Sequence, residues 1–306
     1  MSAKQLARLA AVLVALLLLW GAAALARRRE AAPSGEALRL PKITRSQVDS
    51  VVITRANDTT VLARKDSTNW MVNGRSAAPN AVGDLFTALS DTTAVSELVA
   101  ERKASHPGLG VDSAGSRVWI KGKGKTLADL VVGNRSPDAS GGYVRLADQE
   151  PTYLVRGRLT EILTRAPDEW RNHQIARVIS DSIGRIEISR GRKRYALRRK
   201  EKQWELAPGG SADSAKVGDL LTAYSSIEAS GFAPPAQTNS ARFASPDRQV
   251  RLVRKDGTAL LTLLFDSTAA GFWVRPDTSR MVYKIESWTA DRLTPADTAL
   301  RMSKTK

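Results

Sequence analysis

The sequence predicts an α+β protein of two duplicated modules, each a mostly antiparallel sheet with one principal covering helix, after an N-terminal transmembrane or signal helix. Three observations predict it. The chain matches itself: residues 82–90 read VGDLFTALS and residues 217–225 read VGDLLTAYS, differing only at Phe86 against Leu221 and Leu89 against Tyr224. Short stretches of alternating apolar and polar residues surround both copies, separated by turn residues as hairpins require. An uncharged apolar run opens the chain.

That run, residues 9–26 (LAAVLVALLLLWGAAALA), follows Lys4 and Arg8 and is closed by Arg27, Arg28 and Arg29. As a helix it measures about 27 Å, close to the roughly 30 Å hydrocarbon core of a bilayer. The alternative is a cleaved signal peptide with a basic start, an apolar middle and Ala24-Leu25-Ala26 as cleavage site. Both place the body outside the cytoplasm. The reading preferred here is a retained anchor, because arginine directly after a cleavage site is unfavourable. A single-pass protein of the cytoplasmic membrane with an extracytoplasmic, periplasmic body is the expectation. Residues 30–42, polar and containing Pro and Gly, read as a linker.

The first module is expected over residues 43–167. Its strands fall at residues 51–55, 60–65 and 70–72, then at 117–121, 127–132, 142–146 and 152–155. Between the two groups lies the helix, with Val82, Leu85, Phe86 and Leu89 on one apolar stripe and Pro79 suited to its first turn. The second module, residues 181–293, repeats this grammar: strands at 185–189, 194–199 and 204–206, a helical stripe of Val217, Leu220, Leu221 and Tyr224, then strands at 249–254, 259–265, 272–275 and 282–285. Trp70 answers Trp204, and Tyr153 answers Tyr283. Asp256-Gly257 reads as a two-residue hairpin turn. Short helical turns near 159–163 and 288–293 close each copy. Residues 168–180 are expected to form a joint and residues 294–306 a polar tail.

Composition narrows the chemistry. Cysteine is absent, so disulfides, thiolate metal sites and a cysteine nucleophile are excluded. With two histidines, His106 and His173, a zinc site would need carboxylate-rich ligation, and no metal or cofactor is expected. The net charge of +16 favours anionic partners, and in an exported protein those are lipid headgroups or acidic polysaccharide rather than nucleic acid.

Individual motifs are weak. Residues 121–126 (KGKGKT) resemble a phosphate loop, but Trp119 stands where the pattern needs glycine and the segment joins two strands, so a hairpin is expected. The basic stretch 190–202 (RGRKRYALRRKEK) alternates Tyr195 and Leu197 with charge, as a half-buried strand with a solvated outer face does. Asp168, Glu169 and His173 form the only place where carboxylates and a histidine lie close in sequence; a general acid and base could be drawn from them, but the stretch is read as the joint, packed by Trp170. His106 sits in a Pro/Gly loop and is read as structural. Trp70, Trp119, Tyr143, Trp204 and Trp273 fall on strands, where core packing is the default. No catalytic residue is assigned.

Taken in order, the strand ending at Trp70, the helix around 82–89, GLGVD at 108–112, VVGN at 131–134, GGYVR at 141–145, TYLV at 152–155 and DEWRNHQI at 168–175 resemble the domain-of-unknown-function family DUF4340, over about residues 43–293. Gly110 departs from the family's usual GLD-x-P, and the second copy keeps only FASPD at 243–247. The resemblance implies a membrane-anchored extracytoplasmic protein, often encoded beside ABC transporter genes of the gliding-motility type, and it carries over no catalytic residues. The expected function is therefore a non-enzymatic accessory or scaffold protein held to the membrane by residues 9–26, with an ABC transporter component as partner. An envelope module for anionic polysaccharide or lipid is the alternative, and a hydrolase built on Asp168, Glu169 and His173 comes third.

Overall fold

The computed structural model describes Leu38 and residues 43–56, 58–91, 96–201 and 203–302. The apolar run 9–26, nearly all of the linker and the end of the tail lie outside the described residues. Among the described residues no helix is long and apolar enough to cross a membrane. The chain divides into two compact units between Arg171 and Asn172.

In the first unit nine antiparallel strands form one sheet. In chain order they are β1 (Ser50–Thr54), β2 (Thr59–Arg64), β3 (Trp70–Val72), β4 (Arg75–Ser76), β5 (Ser96–Ala100), β6 (Ser116–Gly122), β7 (Lys125–Arg135), β8 (Gly141–Leu146) and β9 (Thr152–Arg156). Their order across the sheet is β4-β3-β2-β1-β6-β7-β8-β9-β5. Helix α1 (Pro79–Asp91) begins at its proline, whose missing N–H costs nothing there. It buries Val82, Leu85, Phe86 and Leu89 on Val51, Ile53, Leu62, Val118, Ile120 and Leu130. Two short helices, α2 (His106–Leu109) and α3 (Leu159–Leu163), follow. Leu38 joins this core at 2% exposure, its N–H donating to Ser96 Oγ on β5.

The second unit repeats the topology. Strands β11 (Arg185–Arg190), β12 (Lys193–Lys200), β13 (Gln203–Ala207), β14 (Gly210–Ser211), β16 (Gly231–Phe232), β17 (Arg248–Val253), β18 (Ala259–Thr268), β19 (Gly271–Pro276) and β20 (Tyr283–Ile285) run β14-β13-β12-β11-β17-β18-β19-β20-β16, the first sheet's order strand for strand. Helix α4 (Ser214–Ser225) covers it, capped by Asp213, whose Oδ1 accepts from Ala215 N–H and Lys216 N–H. Short α5 (Pro235–Thr238) and α6 (Ser287–Leu293) complete the copy. A small extra pair, β10 (Gln174–Ala176) with β15 (Ile227–Glu228), has no counterpart among the described residues of the first unit.

Duplication reaches single atoms. Gly141 and Gly271 each open the corresponding strand, and a Cβ there would stand 2.0 Å from the Val155 carbonyl oxygen and 2.4 Å from that of Ile285. Any side chain would drive the strand off its neighbour. Core bulk has meanwhile been redistributed: Thr60, Leu89 and Trp170 in the first unit stand where Tyr195, Tyr224 and Leu300 stand in the second. Burial pushes both tyrosine pKa values up, so each phenol stays a donor, Tyr195 to the Pro295 carbonyl and Tyr224 to the Leu293 carbonyl at 2.6 Å.

The division at Arg171/Asn172 falls within the expected joint, 168–180, and residues 168–171 pack in the first unit: Pro167–Trp170 is a 3-10 turn, Trp170 is fully buried, and its carbonyl accepts from Ala78 N–H. The stretch expected as a polar tail contains the counterpart. Asp297–Leu300 is again a 3-10 turn, Leu300 is buried, and its carbonyl accepts from Asp213 N–H. Even the ion pairs repeat, Arg171 with Asp168 at 2.8 Å and Arg301 with Asp297 at 2.7 Å. Asp256-Gly257 closes a longer loop than a two-residue turn, because Arg254 N–H already bonds the Thr258 carbonyl across it.

Candidate functional site

The residues singled out in the sequence are engaged by their own surroundings. Asp168 pairs with Arg171, and Glu169 Oε2 accepts from Ala166 N–H at 2.6 Å, so both carboxylates tie down the first unit's closing turn. His173 belongs to the second unit, where Nδ1 donates to the Ala229 carbonyl at 3.1 Å and the ring stands edge-on to Phe232. His106 is buried, and its Nε2 donates to the Glu150 carbonyl at 2.7 Å. Lys123-Gly124 forms the turn between β6 and β7, both residues with positive φ, and Lys123 N–H donates to Asp49 Oδ2. The phosphate-loop lookalike is a hairpin, as expected.

The family motifs meet one another. Gly110 ends α2 in the left-handed conformation against Asn134, and Gly133 lies so near Leu109 that a Cβ would reach its carbonyl oxygen at 2.3 Å. Thus GLGVD lies on VVGN. Arg145, from GGYVR, fixes that loop by donating to the carbonyls of Val111, Leu146 and Ala147. Desolvation lowers its pKa, yet an arginine remains charged. In the second unit Arg275 occupies the same strand position and stacks on Phe243 of FASPD, 4.6 Å from the ring centre. These motifs hold a loop over the far face of β7–β8 and its counterpart.

What that loop leaves uncovered is the candidate site. In both sheets the face opposite the helix is open over the first half of the strand order. The first unit's depression measures about 660 Å³ and lies where β1 and β6–β8 meet that loop, lined by Thr54, Trp119, Arg117, Asp112, His106 and Arg145 among others. Arg117 stacks on Trp119 at 4.9 Å and pairs with Asp129 at 2.9 Å. The second unit's, also about 660 Å³, is lined by Glu187, Ser189, Arg194, Ala196, Arg198 and Arg251, with Ala207 and Gln249 at its margin.

Strand register lets the two faces be compared position by position. The first carries Val52, Val61, Ala63, Met71, Trp119 and Thr59 where the second carries Glu187, Ala196, Arg198, Glu205, Arg251 and Arg194. Inward positions of the same strands stay apolar in both: Val51 and Ile186, Ile53 and Ile188, Leu62 and Leu197, Val118 and Val250. The core has kept its chemistry while the open faces have parted: over β1–β3 the first is apolar where β11–β13 are charged, and on β6–β7 it carries Arg117 and Asp129 where the second has Gln249 and Thr262. On the charged face Glu187 is held by Arg185 at 3.1 Å and Arg251 at 3.6 Å. Arg194 and Arg198 are exposed and pair with no carboxylate among the described residues.

Two sequence readings are refined by this geometry. Trp70 and Trp204 are core, at 3% and 7% exposure, but Trp119, Tyr143 and Trp273 are half-buried on the outer face because strand alternation turns them away from the helix. The basic stretch does alternate as expected, with Tyr195 and Leu197 inward. Its outward arginines nonetheless form a site together with Arg251, which lies far along the chain. Alignment of residues 59–63 with 194–198 carried the signal, since outward Thr59 and Ala63 become Arg194 and Arg198.

A family model described as a domain of unknown function (DUF4340) matches residues 70–246, more than half of the chain, from β3 of the first unit to the loop before β17 of the second. No curated protein and no solved structure matches.

Proposed function

This chain belongs to the DUF4340 family, and from that premise we propose that it is a non-enzymatic scaffold. In this reading residues 9–26 anchor it, the body lies outside the cytoplasm, and its open sheet faces dock a protein of the same membrane, an ABC-type transporter component. One observation carries the reading: a duplicated fold whose cores match while its two open faces differ. A helix seals one side of each sheet, so the other side is where a partner gains contact area, and an apolar face with Trp119 offers an aromatic anchor of the kind that dominates interfaces. A photo-crosslinking residue at Val61, which is partly exposed, tests this in native membranes. Capture of a transporter component supports the scaffold; capture of no membrane protein sinks it.

The charged second face favours one other reading, an envelope module for anionic polysaccharide or lipid. Association of that kind weakens steeply as salt rises. Binding to anionic vesicles or polysaccharide that ignored salt would argue against it.

A further inference from the structure

The second unit's open face carries charge that its fold does not require, because the first unit builds the same sheet with Thr59, Ala63 and Trp119 in place of Arg194, Arg198 and Arg251. The charges are also unequal in their commitments. Arg251 and Arg185 already hold Glu187, and Lys200 holds Glu205 at 3.2 Å. Arg194 and Arg198 are the two exposed cations of this depression with no carboxylate partner among the described residues.

We infer that this depression binds an extended acidic segment of a protein partner, with carboxylates four residues apart seated on Arg194 and Arg198. The two arginines lie on the same face of β12, four residues apart, hence about 13 Å at the rise of a strand. An extended peptide repeats at the same rise, so carboxylates at positions i and i+4 match both guanidinium groups. Each guanidinium offers a planar fork of donors suited to two carboxylate oxygens. Between them the floor is small: Ala196 lies beside Ala207 on one side and Glu187 on the other, and Arg194 lies beside Ser189. That leaves space for a main chain to lie flat along the strand.

Mixed charge decides the class of ligand. A polymer that is negative at every unit would meet Glu187 and Glu205 as well as the arginines, and like charges brought together are unfavourable. A peptide places acidic residues only where the arginines stand and neutral ones elsewhere. The depression lies within the sheet, across β12, β11 and β17, so recognition is through side chains rather than through pairing at a strand edge. The inference rests on the scaffold reading, since it assigns the ligand to a segment of the partner protein.

The test uses the full-length chain in phosphatidylcholine nanodiscs and a fluorescein-labelled peptide with two aspartates four residues apart in a Ser/Thr/Val background. Saturable binding that weakens with salt is expected. An asparagine version of the peptide, and the Arg194→Glu/Arg198→Glu variant, should each lose roughly tenfold or more in affinity. Thr59→Glu, the matched change on the first face, should leave binding unaltered. Arg194→Gln/Arg198→Gln repeats the measurement if the double glutamate variant changes the far-ultraviolet circular dichroism. Absence of peptide binding, or binding indifferent to the arginine variants, overturns the inference. So does binding of polyphosphate or phosphatidylglycerol vesicles through Arg194 and Arg198 without binding of the peptide. If Val61 cross-linking still captures a membrane protein while the peptide fails to bind, this site falls and the scaffold stands; if nothing is captured, the scaffold falls.

Discussion

Replacing Trp170 by alanine separates a closing element of the first unit from a joint between units. The side chain is fully buried, its ring faces the Arg165 guanidinium at 5.6 Å, and its main chain holds the start of α1 through Ala78. A buried aromatic of this size removes about 150–250 Å² from water, worth about 4–6 kcal/mol as an upper bound at about 25 cal/mol per Å². Core Trp→Ala changes cost about 3–5 kcal/mol, which overlaps the lower part of that range. At about 4 kcal/mol the opening equilibrium of the first unit rises about a thousandfold. Hydrogen exchange with mass spectrometry on the full chain in micelles reads this directly, with peptides from β3 and α1 as reporters and those from β13 and α4 as internal reference. Protection should fall in the first set and hold in the second. Equal loss in both sets, or less than about a tenfold loss in the first, would refute the assignment of residues 168–171 to the first unit.

Tyr224→Phe leaves the Leu293 carbonyl without its donor inside the second core, and thermal melting should show a loss of about 1–3 kcal/mol confined to that unit. Gly141→Ala and Gly271→Ala should both be lesions, each pressing a methyl group on a carbonyl across the neighbouring strand and raising exchange at its own strand pair, β8–β9 or β19–β20, with Gly271→Ala the worse because its φ of 139° also disfavours a side chain; tolerance at both would contradict the close approach. Asp138 accepts from Ser136 Oγ and from the Ser140 amide and hydroxyl, which lowers its pKa to about 2. A folded-state value below the unfolded one of about 3.9 means its contribution is complete above about pH 4 and is lost as pH falls through about 2. Amide resonances of residues 136–140 should titrate at that low midpoint and stop doing so in Asp138→Asn; an ordinary aspartate midpoint would contradict the geometry.

Periodicity made most of the fold legible. Alternation placed the long strands within one to three residues, and the stripes at Val82–Leu85–Phe86–Leu89 and Val217–Leu220–Leu221–Tyr224 marked both helices, because each buries one face and solvates the other. Short edge strands left no such trace. β5 has no fully buried residue, and β4, β14 and β16 are two residues long. The closing turns escaped because Trp170 and Leu300 differ and only Ala166 and Arg171 recur, as Ala296 and Arg301; what the turns share is hydrogen bonds and an aspartate–arginine pair. Outward residues were the hardest to read. Alternation shows that Arg194 and Arg198 face away from the core, but their meeting with Arg251 depends on β11 lying between β12 and β17. Only the pairing of strands distant in sequence brings those charges together.

Leu38 adds a restraint on where this molecule can work. Its side chain is sealed in the first core, and eleven residues, 27–37, separate it from Ala26 along the sequence. Fully stretched at about 3.3–3.6 Å per residue, those eleven residues reach no farther than about 40 Å, comparable to a bilayer with its headgroups. If residues 9–26 anchor the chain as proposed, the first unit would stand on a short leash rather than a free tether. A leash of that length would hold the proposed docking face at about millimolar effective concentration over its neighbours in the same bilayer, so even a weak contact with an integral partner would be occupied most of the time.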